Sequence, residues 1–435
     1  RKEQIKTLMR LLHQHHFVTV VGSSGAGKSS LIRAGLIPQL EAGFLVNDRD
    51  EWKVAETKPS DNPLGNLVNS VLNALEINLG ANHTQRLVDD IQDNGPQAFL
   101  KTIVSVLRGE ESNLFILVDQ FEELFRFGSN KNQTNKHQQA ELFVALLISL
   151  SRSGQHIHVC LTMRSDFLGE CDAFYGLPEA INKSQFLVPR LTRGQREEVI
   201  VHPVNLAGSK IAPRLVDQLL NEDIDTRDDL PVLQHVLMRT WDAWQKSGEP
   251  AQIDLAHYES THTIHQALNS HADEALDELT EEEKRIAKVL FQTLTTIDSA
   301  NRRIRRPVHL DEVCNIANAS RQDIMNVIGC FCKERRSFLV LSAEEDNPLI
   351  DISHESLIRQ WGTLDEWVEE ENENIKIFLR LVETSRLHGK GKASLYKGNE
   401  LSEARKWFLK FPSQLAWITW SKKHYNDYQE SISFL

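Results

Sequence analysis

The sequence predicts an α/β fold in which a parallel sheet flanked by helices is followed by smaller, mainly helical units. Three observations predict it. A glycine-rich turn joins an apolar, β-branched run at 18–21 to a helix-forming segment. A second apolar run, 114–118, ends in a carboxylate, as buried parallel strands do where they meet a ligand. Beyond Pro189, strand patterns give way to helical ones.

The composition is that of an ordinary globular protein. The chain has 435 residues, 40% hydrophobic and 25% charged, so about three domains of roughly 150 residues are expected. Five scattered cysteines do not make a disulfide framework, and we interpret them as packing residues in a reducing compartment. A net charge of −12 argues against a protein that coats nucleic acid. With no membrane span and no signal peptide in the sequence, a cytoplasmic protein is expected.

A phosphate cradle follows the first strand. A helix over 3–16 precedes it, and we interpret His13, His15 and His16 at its end as solvated. The cradle has the full Walker A spacing between a strand and a helix. Backbone N–H groups would face phosphates, Lys28 would reach the β- and γ-phosphate oxygens, and the Ser29 hydroxyl would ligate Mg²⁺. The predicted nucleotide-binding residues here are Gly22, Ser23, Ser24, Gly25, Ala26, Gly27, Lys28, Ser29 and Ser30.

The Walker B carboxylate is the next predicted element. A strand at 52–57 and largely helical residues 64–108 come first. The apolar strand then ends at Asp119, which is placed to hold Mg²⁺ beside Ser29. Glu122 and Glu123 are both candidates for polarising the attacking water, and Glu122 is our first choice.

A sensor for the γ-phosphate is predicted after the following strand. A helix at 138–152 leads into a strand at 156–162, and Arg164 lies just beyond it. A cation in this position would sense whether the γ-phosphate is present, whereas the alternative is a surface arginine. A last strand is predicted at 185–189, which completes a parallel sheet with helices on both faces. The predicted catalytic residues are Lys28, Asp119, Glu122 and Arg164.

Several segments resemble the signal-transduction ATPases with numerous domains, the STAND-class P-loop NTPases. Most narrowly they resemble the bacterial novel STAND NTPase group, which is related to the NACHT and NB-ARC switches. The resemblance implies an ADP-bound closed state and an ATP-bound open state that self-associates and activates an effector, with slow ATP hydrolysis and a role in bacterial defence. It also implies a sensor region outside this chain. The matching segments are 22–36, 118–125, 163–168, 230–235 and 352–361.

The same resemblance implies roles for single residues. Arg164 corresponds to the family's sensor arginine, Pro231 to a proline near the adenine, and His354 to a histidine that approaches the ADP β-phosphate. Without the family, Pro231 is a favourable first-turn proline. Glu355 stands where the family has an aspartate. Residues 1–3 resemble the remainder of a glycine-arginine element, so we expect the chain to be part of a longer one.

Four domains are predicted. A capping box at Thr280 opens the first helix of the third domain, two further helices follow at 310–317 and 320–334, and strands at 338–341 and 349–352 form a hairpin. The domains are a P-loop nucleotide-binding domain over 1–190, a helical lid over 191–270, a winged-helix domain over 271–361 and a C-terminal helical linker over 362–435.

Two other functions stay open. A winged helix can bind DNA, and residues 302–306 form a basic cluster, although the cluster precedes the second helix instead of lying on the third. The alternatives are therefore a nucleotide-gated DNA-binding regulator and an AAA-type motor ATPase. A motor hydrolyses continuously, and a regulator binds a defined duplex with a salt-dependent affinity. We expect ATP/ADP and Mg²⁺ as cofactors, the protein itself and an effector as partners, and neither membrane nor nucleic acid.

Overall fold

A computed structural model describes most of the chain, which is divided into two compact units. One unit comprises Arg1–Val199 with Thr226–Leu230, and the other Ile200–Asp225 with Pro231–Leu435. The four domains predicted from the sequence are finer than this division and stay a prediction. The described residues are 1–60, 62–77, 80–129, 133–154, 156–222, 229–248, 252–261, 266–297, 303–333, 336–342 and 346–410.

A five-stranded parallel sheet forms the centre of the first unit, as predicted. Its strand order is β2-β3-β4-β1-β5, and every pairing is parallel. All six residues of β1 and of β3 are buried, which is why both strands read as continuous apolar runs. The strands are β1 (Phe17–Gly22), β2 (Trp52–Thr57), β3 (Asn113–Val118), β4 (Ile157–Arg164) and β5 (Gln185–Leu187).

Helices cover both faces of this sheet. Because side chains alternate along a strand, Ile116 belongs to one buried cluster whereas Phe115 and Leu117 belong to the other. Two 3₁₀ segments, Phe121–Ser129 and Ser165–Ala173, follow β3 and β4. The helices are α1 (Lys2–Gln14), α2 (Lys28–Leu31), α3 (Ile37–Glu41), α4 (Pro63–Ala74), α5 (Gly80–Asn94), α6 (Gln97–Glu110), α7 (Gln133–Arg152), α8 (Leu177–Lys183) and α9 (Arg193–Leu206).

The helix after the cradle contains a π-helical turn. Helices α2 and α3 are joined by Ile32–Leu36, so that one helix runs on to Glu41 past Pro38. A π turn places one extra residue in the helical repeat. Within it, a Cβ on Gly35 would lie 2.7 Å from Ile5 Cδ1, so any other residue here would force the Ile5 side chain of α1 to shift.

One interpretation of the first helix is wrong. His16 is half-buried instead of solvated, and its ring lies 4.7 Å from that of His158 on β4. The ring of Trp52 on β2 also contacts that of His158, with 5.2 Å between the ring centroids. The strands that supply these rings are distant in sequence, so the helical pattern of residues 3–16 gave no sign of the contact.

The described residues of the rest of the chain are mainly helical and form three further buried clusters. They also form two small antiparallel sheets, the pair β6-β7 and the three-stranded sheet β8-β10-β9. The helices and strands are α10 (Pro213–Asn221), α11 (Asp229–Lys246), α12 (Leu255–Glu259), α13 (Ala267–Asp277), α14 (Glu281–Thr293), β6 (Thr295–Ile297), β7 (Arg303–Arg305), β8 (Val308–His309), α15 (Leu310–Ala317), α16 (Arg321–Cys332), β9 (Leu339–Leu341), β10 (Leu349–Ile352), α17 (Glu355–Gln360), α18 (Gly362–Gly389) and α19 (Gly398–Lys410).

One buried cluster unites α14, α15 and α16 with the sheet β8-β10-β9 around Phe291, Phe331 and Trp361. The capping box at Thr280 and the pairing of β9 with β10 are confirmed, and β8 was not predicted. The name winged helix for this part of the chain stays a prediction. Of the predicted C-terminal linker, residues 411–435 lie outside the described part of the chain. None of the helices among the described residues combines the length and the apolarity needed to cross a lipid bilayer.

Candidate functional site

The side chain of Lys28 folds back onto the cradle, residues 22–28, and is hydrogen-bonded to its backbone. Gly25 and Gly27 have φ of 68° and 78°, which glycine adopts without the steric cost that a side chain would bring. These two residues turn the chain from β1 into the helix that begins at Lys28. The Lys28 Nζ donates to the carbonyl oxygens of Gly22 at 3.1 Å and Ser23 at 2.9 Å. The loop therefore already holds the ammonium group over its concave side.

Asp119 is the centre of the polar contacts at this edge of the sheet, and its side chain is only 2% exposed. Its Oδ1 accepts hydrogen bonds from Ser29 Oγ at 2.7 Å and Thr162 Oγ1 at 2.5 Å. Its Oδ2 lies 3.3 Å from Arg33 Nη2. A buried carboxylate needs such partners, because an ion without them would be strongly destabilising.

The strand register explains why these residues meet. Strands β3, β4 and β1 are neighbours, and Val118 is opposite Leu161, so Asp119 reaches the next position, Thr162. On the other side of β4, Arg164 is opposite Gly22 at the start of the cradle. The carboxyl ends of parallel strands thus bring the Walker A and Walker B elements together, as the sequence predicts.

Glu122 and Glu123 are both buried but lean towards different strands. Glu122 Oε2 accepts the backbone N–H of Arg164 at 3.3 Å, at the end of β4. Glu123 Oε2 accepts the hydroxyl of Ser60 at 3.3 Å, in the connection after β2. Since β4 lies between β3 and β1, Glu122 is on the cradle side of Asp119, whereas Glu123 is on the opposite side.

The Arg164 side chain is engaged by an aspartate two residues on. Its Nε lies 3.0 Å from Asp166 Oδ1 and its Nη2 lies 2.6 Å from Oδ2, a bidentate pair. The guanidinium carbon also lies 5.3 Å from the centre of the Phe167 ring. Arg164 is therefore at the predicted position, with its charge directed to Asp166.

Arg1 brings a second positive charge to the cradle. Its Nη1 would lie 3.6 Å from a Cβ built on Gly27, and this nitrogen is buried without a hydrogen-bond partner. Desolvation lowers the pKa of the Arg1 guanidinium. A buried, unpartnered donor beside a turn of backbone N–H groups fits an anionic ligand.

Pro231 and His354 lie in the second unit. Pro231 is in the first turn of α11, which agrees with its alternative interpretation as a favourable first-turn proline. His354 precedes α17 and is solvent-exposed, although desolvation by neighbouring groups and the nearby Arg305 lower its pKa. Glu355 is buried and lies 3.5 Å from Arg359.

Three residues at the site were not predicted, Thr162, Arg33 and Arg1. Thr162 is a hydroxyl within the buried run of β4, and a polar side chain in such a strand is a signal that sequence inspection can find. Arg33 follows Ser29 by four residues, which places both on one face of a helix.

The oxygen atoms of Ser29 and Asp119 suit Mg²⁺, which prefers oxygen ligands. The Ser29 hydroxyl donates its hydrogen bond to Asp119, so its lone pairs remain available to a metal. No group of three or more His, Cys, Asp or Glu side chains among the described residues is arranged to hold a metal ion. Other ligands of Mg²⁺ at this site would thus come from phosphate and water, as in phosphoryl-transfer sites.

The family model for Novel STAND NTPase 1 matches residues 1–394 of the 435. The chain belongs to this family. The match confirms the resemblance seen in the sequence, and it makes the Novel STAND NTPase 1 chain a P-loop NTPase. A comparison with curated proteins finds no match.

Solved structures similar to this Novel STAND NTPase 1 chain include ORC and Cdc6 proteins. The Aeropyrum pernix ORC2 protein, in ADPNP–ADP complexes, is 12% identical with a TM-score of 0.48, covering 85% of this chain and 94% of its own. Pyrobaculum aerophilum Cdc6p is 14% identical with a TM-score of 0.38, at the same coverage. The Aeropyrum pernix ORC1 protein in complex with DNA is 11% identical with a TM-score of 0.41, covering 86% and 92%. These similarities are too low to inform function.

Proposed function

We propose that this chain is an ATP- and ADP-dependent signal-transduction switch that holds ADP in a closed state and, after exchange for ATP, opens and self-associates to activate an effector. One observation carries the proposal. The Walker A hydroxyl of Ser29 lies 2.7 Å from the Walker B carboxylate of Asp119, beside a glycine cradle that encloses Lys28. This combination of a phosphate cradle and oxygen ligands is what Mg²⁺–nucleotide binding requires.

Within the proposed site each residue has a separate task. Backbone N–H groups of residues 22–28 bind phosphate oxygens, and Lys28 leaves the loop carbonyls to meet the β- and γ-phosphates. Ser29 and Asp119 hold Mg²⁺, which when bound neutralises charge on the phosphate oxygens. The unpartnered Nη1 of Arg1 beside Gly27 is a further donor for the same anion.

Glu122 is our candidate for orienting the attacking water. It lies on the cradle side of Asp119, where the γ-phosphate of a bound nucleotide would be, whereas Glu123 faces the connection after β2. As a carboxylate, Glu122 accepts the proton of the water as the water attacks. Hydrolysis in this site is slow in our proposal, because the protein keeps its nucleotide as a signal.

Arg164 reads the γ-phosphate in this proposal. Its guanidinium is held by both oxygens of Asp166, so a γ-phosphate must compete with that carboxylate. Phosphate and carboxylate both accept bidentate hydrogen bonds from arginine, which makes the exchange geometrically simple. Arg164 thus distinguishes ATP from ADP by changing its partner, and loss of the γ-phosphate returns it to Asp166.

The closed state requires residues beyond the cradle. Following the family resemblance, His354 contacts the β-phosphate of ADP and Pro231 packs near the adenine. The exposed ring of His354 is available for such a contact. A lowered pKa favours a neutral imidazole, whose N–H donates to a phosphate oxygen. Self-association, the effector and the sensor region belong to the same proposal, as does a role in bacterial defence.

DNA binding is disfavoured by ion pairs in the basic cluster. Arg302 lies outside the described residues, but Arg305 pairs with Asp351 at 2.7 Å and Arg306 with Glu312 at 2.8 Å. Arg303 contacts both Asp365 and Glu369. These carboxylates compete with phosphate for the same guanidinium groups.

The proposal is tested by the nucleotide that the protein carries and by its turnover. We expect purified protein to release stoichiometric ADP on denaturation and to hydrolyse ATP slowly, and we expect its mass in solution to increase with a non-hydrolysable ATP analogue but not with ADP. Lys28→Ala should carry no nucleotide. Fast, continuous turnover without a change of mass would instead indicate a motor. Protein that binds neither nucleotide would refute the proposal.

A further inference from the structure

Arg33 bridges two carboxylates at the edge of the site. Its Nε donates to Glu56 Oε2 at 2.9 Å, and its Nη2 lies 3.3 Å from Asp119 Oδ2. Glu56 is on β2, next to the strand that carries Asp119. The side chains of Arg33 and Glu56 are 45% and 40% exposed, whereas that of Asp119 is 2% exposed.

The two oxygens of Asp119 have different partners. Oδ1 accepts two neutral hydroxyl groups, which satisfy hydrogen bonding but bring no charge. Oδ2 lies beside Arg33, the cation that contacts Asp119 within the described part of the chain. A buried carboxylate is stabilised by a counter-charge, and Mg²⁺ in the proposed site would supply a larger one at the same carboxylate.

The geometry points to Arg33 as an exchangeable counterion of Asp119: it neutralises the carboxylate when no Mg²⁺ is bound and moves wholly to Glu56 when Mg²⁺–nucleotide binds. This inference rests on the proposed function. Arg33 keeps a partner throughout the exchange, because its Nε already contacts Glu56. Arg33 is thus a positioning residue that sets the Mg²⁺ concentration at which nucleotide binds tightly, and Glu56 shifts that concentration in the opposite sense.

The position of Arg33 in the helix supports this role. It lies in the π-helical turn Ile32–Leu36, one turn after Ser29. Such turns occur often at functional sites, because the extra residue redirects side chains. The same helix therefore presents to Asp119 both a proposed metal ligand, Ser29, and the cation that the metal would displace.

The test is a Mg²⁺ titration of the binding of a fluorescent ADP analogue to the full chain, starting in EDTA. We expect Arg33→Met to lower the half-saturating Mg²⁺ concentration by about two- to fivefold, the effect of losing one partly exposed ion pair. Arg33→Met should also lower the Tm of the nucleotide-free protein in EDTA, since Asp119 loses its counterion. Glu56→Gln should raise the half-saturating Mg²⁺ concentration, because Arg33 then has Asp119 as its remaining charged partner.

Lys53→Met is the matched control. It removes one positive charge from β2 opposite Leu114, five residues before Asp119 and thus about 16 Å away along the strand. Its half-saturating Mg²⁺ concentration should equal that of the wild type.

Three results would overturn the inference. An unchanged or raised Mg²⁺ requirement in Arg33→Met, with ADP binding intact, would leave Arg33 a purely structural role. A lowered requirement in Glu56→Gln would contradict the exchange even if Arg33→Met failed to fold. Wild-type protein that bound no ADP analogue would remove the proposed function and this inference together, which separates that failure from the other two.

Discussion

The Thr162 hydroxyl donates to Asp119 Oδ1 over 2.5 Å and accepts the backbone N–H of Gln120 at 3.0 Å. One side chain on β4 therefore fixes both the carboxylate and the turn that follows it. Gln120 has a φ of 58°, a left-handed conformation that costs free energy outside glycine. Thr162 helps to hold this turn in place.

We expect Thr162→Val to destabilise the protein by about 1–3 kcal/mol, because the part-buried N–H of Gln120 and the buried Asp119 carboxylate both lose a hydrogen bond. Urea unfolding would measure this. Thr240→Val is the control: Thr240 is also buried, but its hydroxyl donates to Val236 O within a helix. This change should cost less, because no other group loses its partner. Equal costs would show that the Thr162 contacts add nothing specific.

Lys28→Ala should abolish nucleotide binding while leaving the Tm of the nucleotide-free protein nearly unchanged. The ammonium group donates to the carbonyl oxygens of Gly22 and Ser23 in the cradle, and its larger interaction is with the phosphates. Isothermal titration with ATP and ADP would measure the loss, with Lys6→Ala on the exposed face of α1 as the charge-matched control. Unchanged affinity in Lys28→Ala would refute the cradle.

Glu122→Gln should keep ATP and Mg²⁺ bound but slow single-turnover hydrolysis, by about 10²–10⁴-fold if Glu122 acts as general base. Glu123→Gln is the matched control, since it is equally buried but faces Ser60. Asp119→Asn should instead weaken the Mg²⁺ dependence of binding. If Glu123→Gln slowed hydrolysis and Glu122→Gln hydrolysed ATP at the wild-type rate, the general base would be Glu123 instead of Glu122.

Acid should destabilise the first unit through His158. Desolvation lowers the pKa of this histidine from 6.5 to about 3, so the folded protein keeps it neutral while the unfolded chain takes up a proton below pH 6.5. Stability is therefore fully present above that pH and is lost as the pH falls towards 3. Between about pH 6.5 and pH 4.5 the loss is about 2 kcal/mol.

His158→Phe should flatten this pH dependence, since a phenyl ring can occupy the place between His16 and Trp52 without titrating. Urea unfolding at several pH values would give the slopes. His13→Gln, at an exposed position of α1, should leave the slope as it is. The role of His158 would be refuted if His158→Phe kept the wild-type slope.

His354→Ala should lose most of the increase in Tm that ADP gives the wild type. A hydrogen bond to a charged phosphate contributes about 1.5–3 kcal/mol, which corresponds to a roughly ten- to hundredfold change in the closed-to-open ratio. Thermal unfolding with and without ADP would measure it, with His202→Ala as an exposed control. If ADP raised the Tm of His354→Ala as much as that of the wild type, the proposed contact of His354 with ADP would be wrong, but the assignment of the phosphate cradle would be unaffected.

The sequence predicts those parts of the site that are formed by residues adjacent to one another in the chain. The cradle is a contiguous segment, and the strand before Asp119 is a continuous apolar run, so both could be located without knowledge of the fold. Ser29 meets Asp119 from 90 residues away, and this contact was predicted because both residues belong to recognisable motifs. Thr162 meets Asp119 from 43 residues away through the pairing of β3 with β4, which no local pattern contains.

The sequence could not reveal the shortest strands, nor could it decide between the neighbouring candidates Glu122 and Glu123. Strand β8 has two residues, and β6 and β7 have three each, too few to show a periodicity. Glu122 and Glu123 are adjacent and chemically equivalent, and only the different strands that they face separate them. By contrast α10 has a clear apolar face, and such spacing indicates a helix without knowledge of the fold; its buried residues are Leu215, Val216, Leu219 and Leu220.

The π turn at Ile32–Leu36 has a consequence for insertions and deletions. One residue of an α-helix accounts for about 100° of rotation. Deleting a residue elsewhere between Ser29 and Leu40 would therefore rotate Ser29 by that angle relative to Ile37 and Leu40, which are buried in the core. Deleting one residue within the turn would instead let the helix become regularly α-helical, because a π turn holds one residue more than an α-helical turn, and Ser29 would keep its orientation relative to that core. We expect evolution to accept a one-residue deletion in this helix only within Ile32–Leu36.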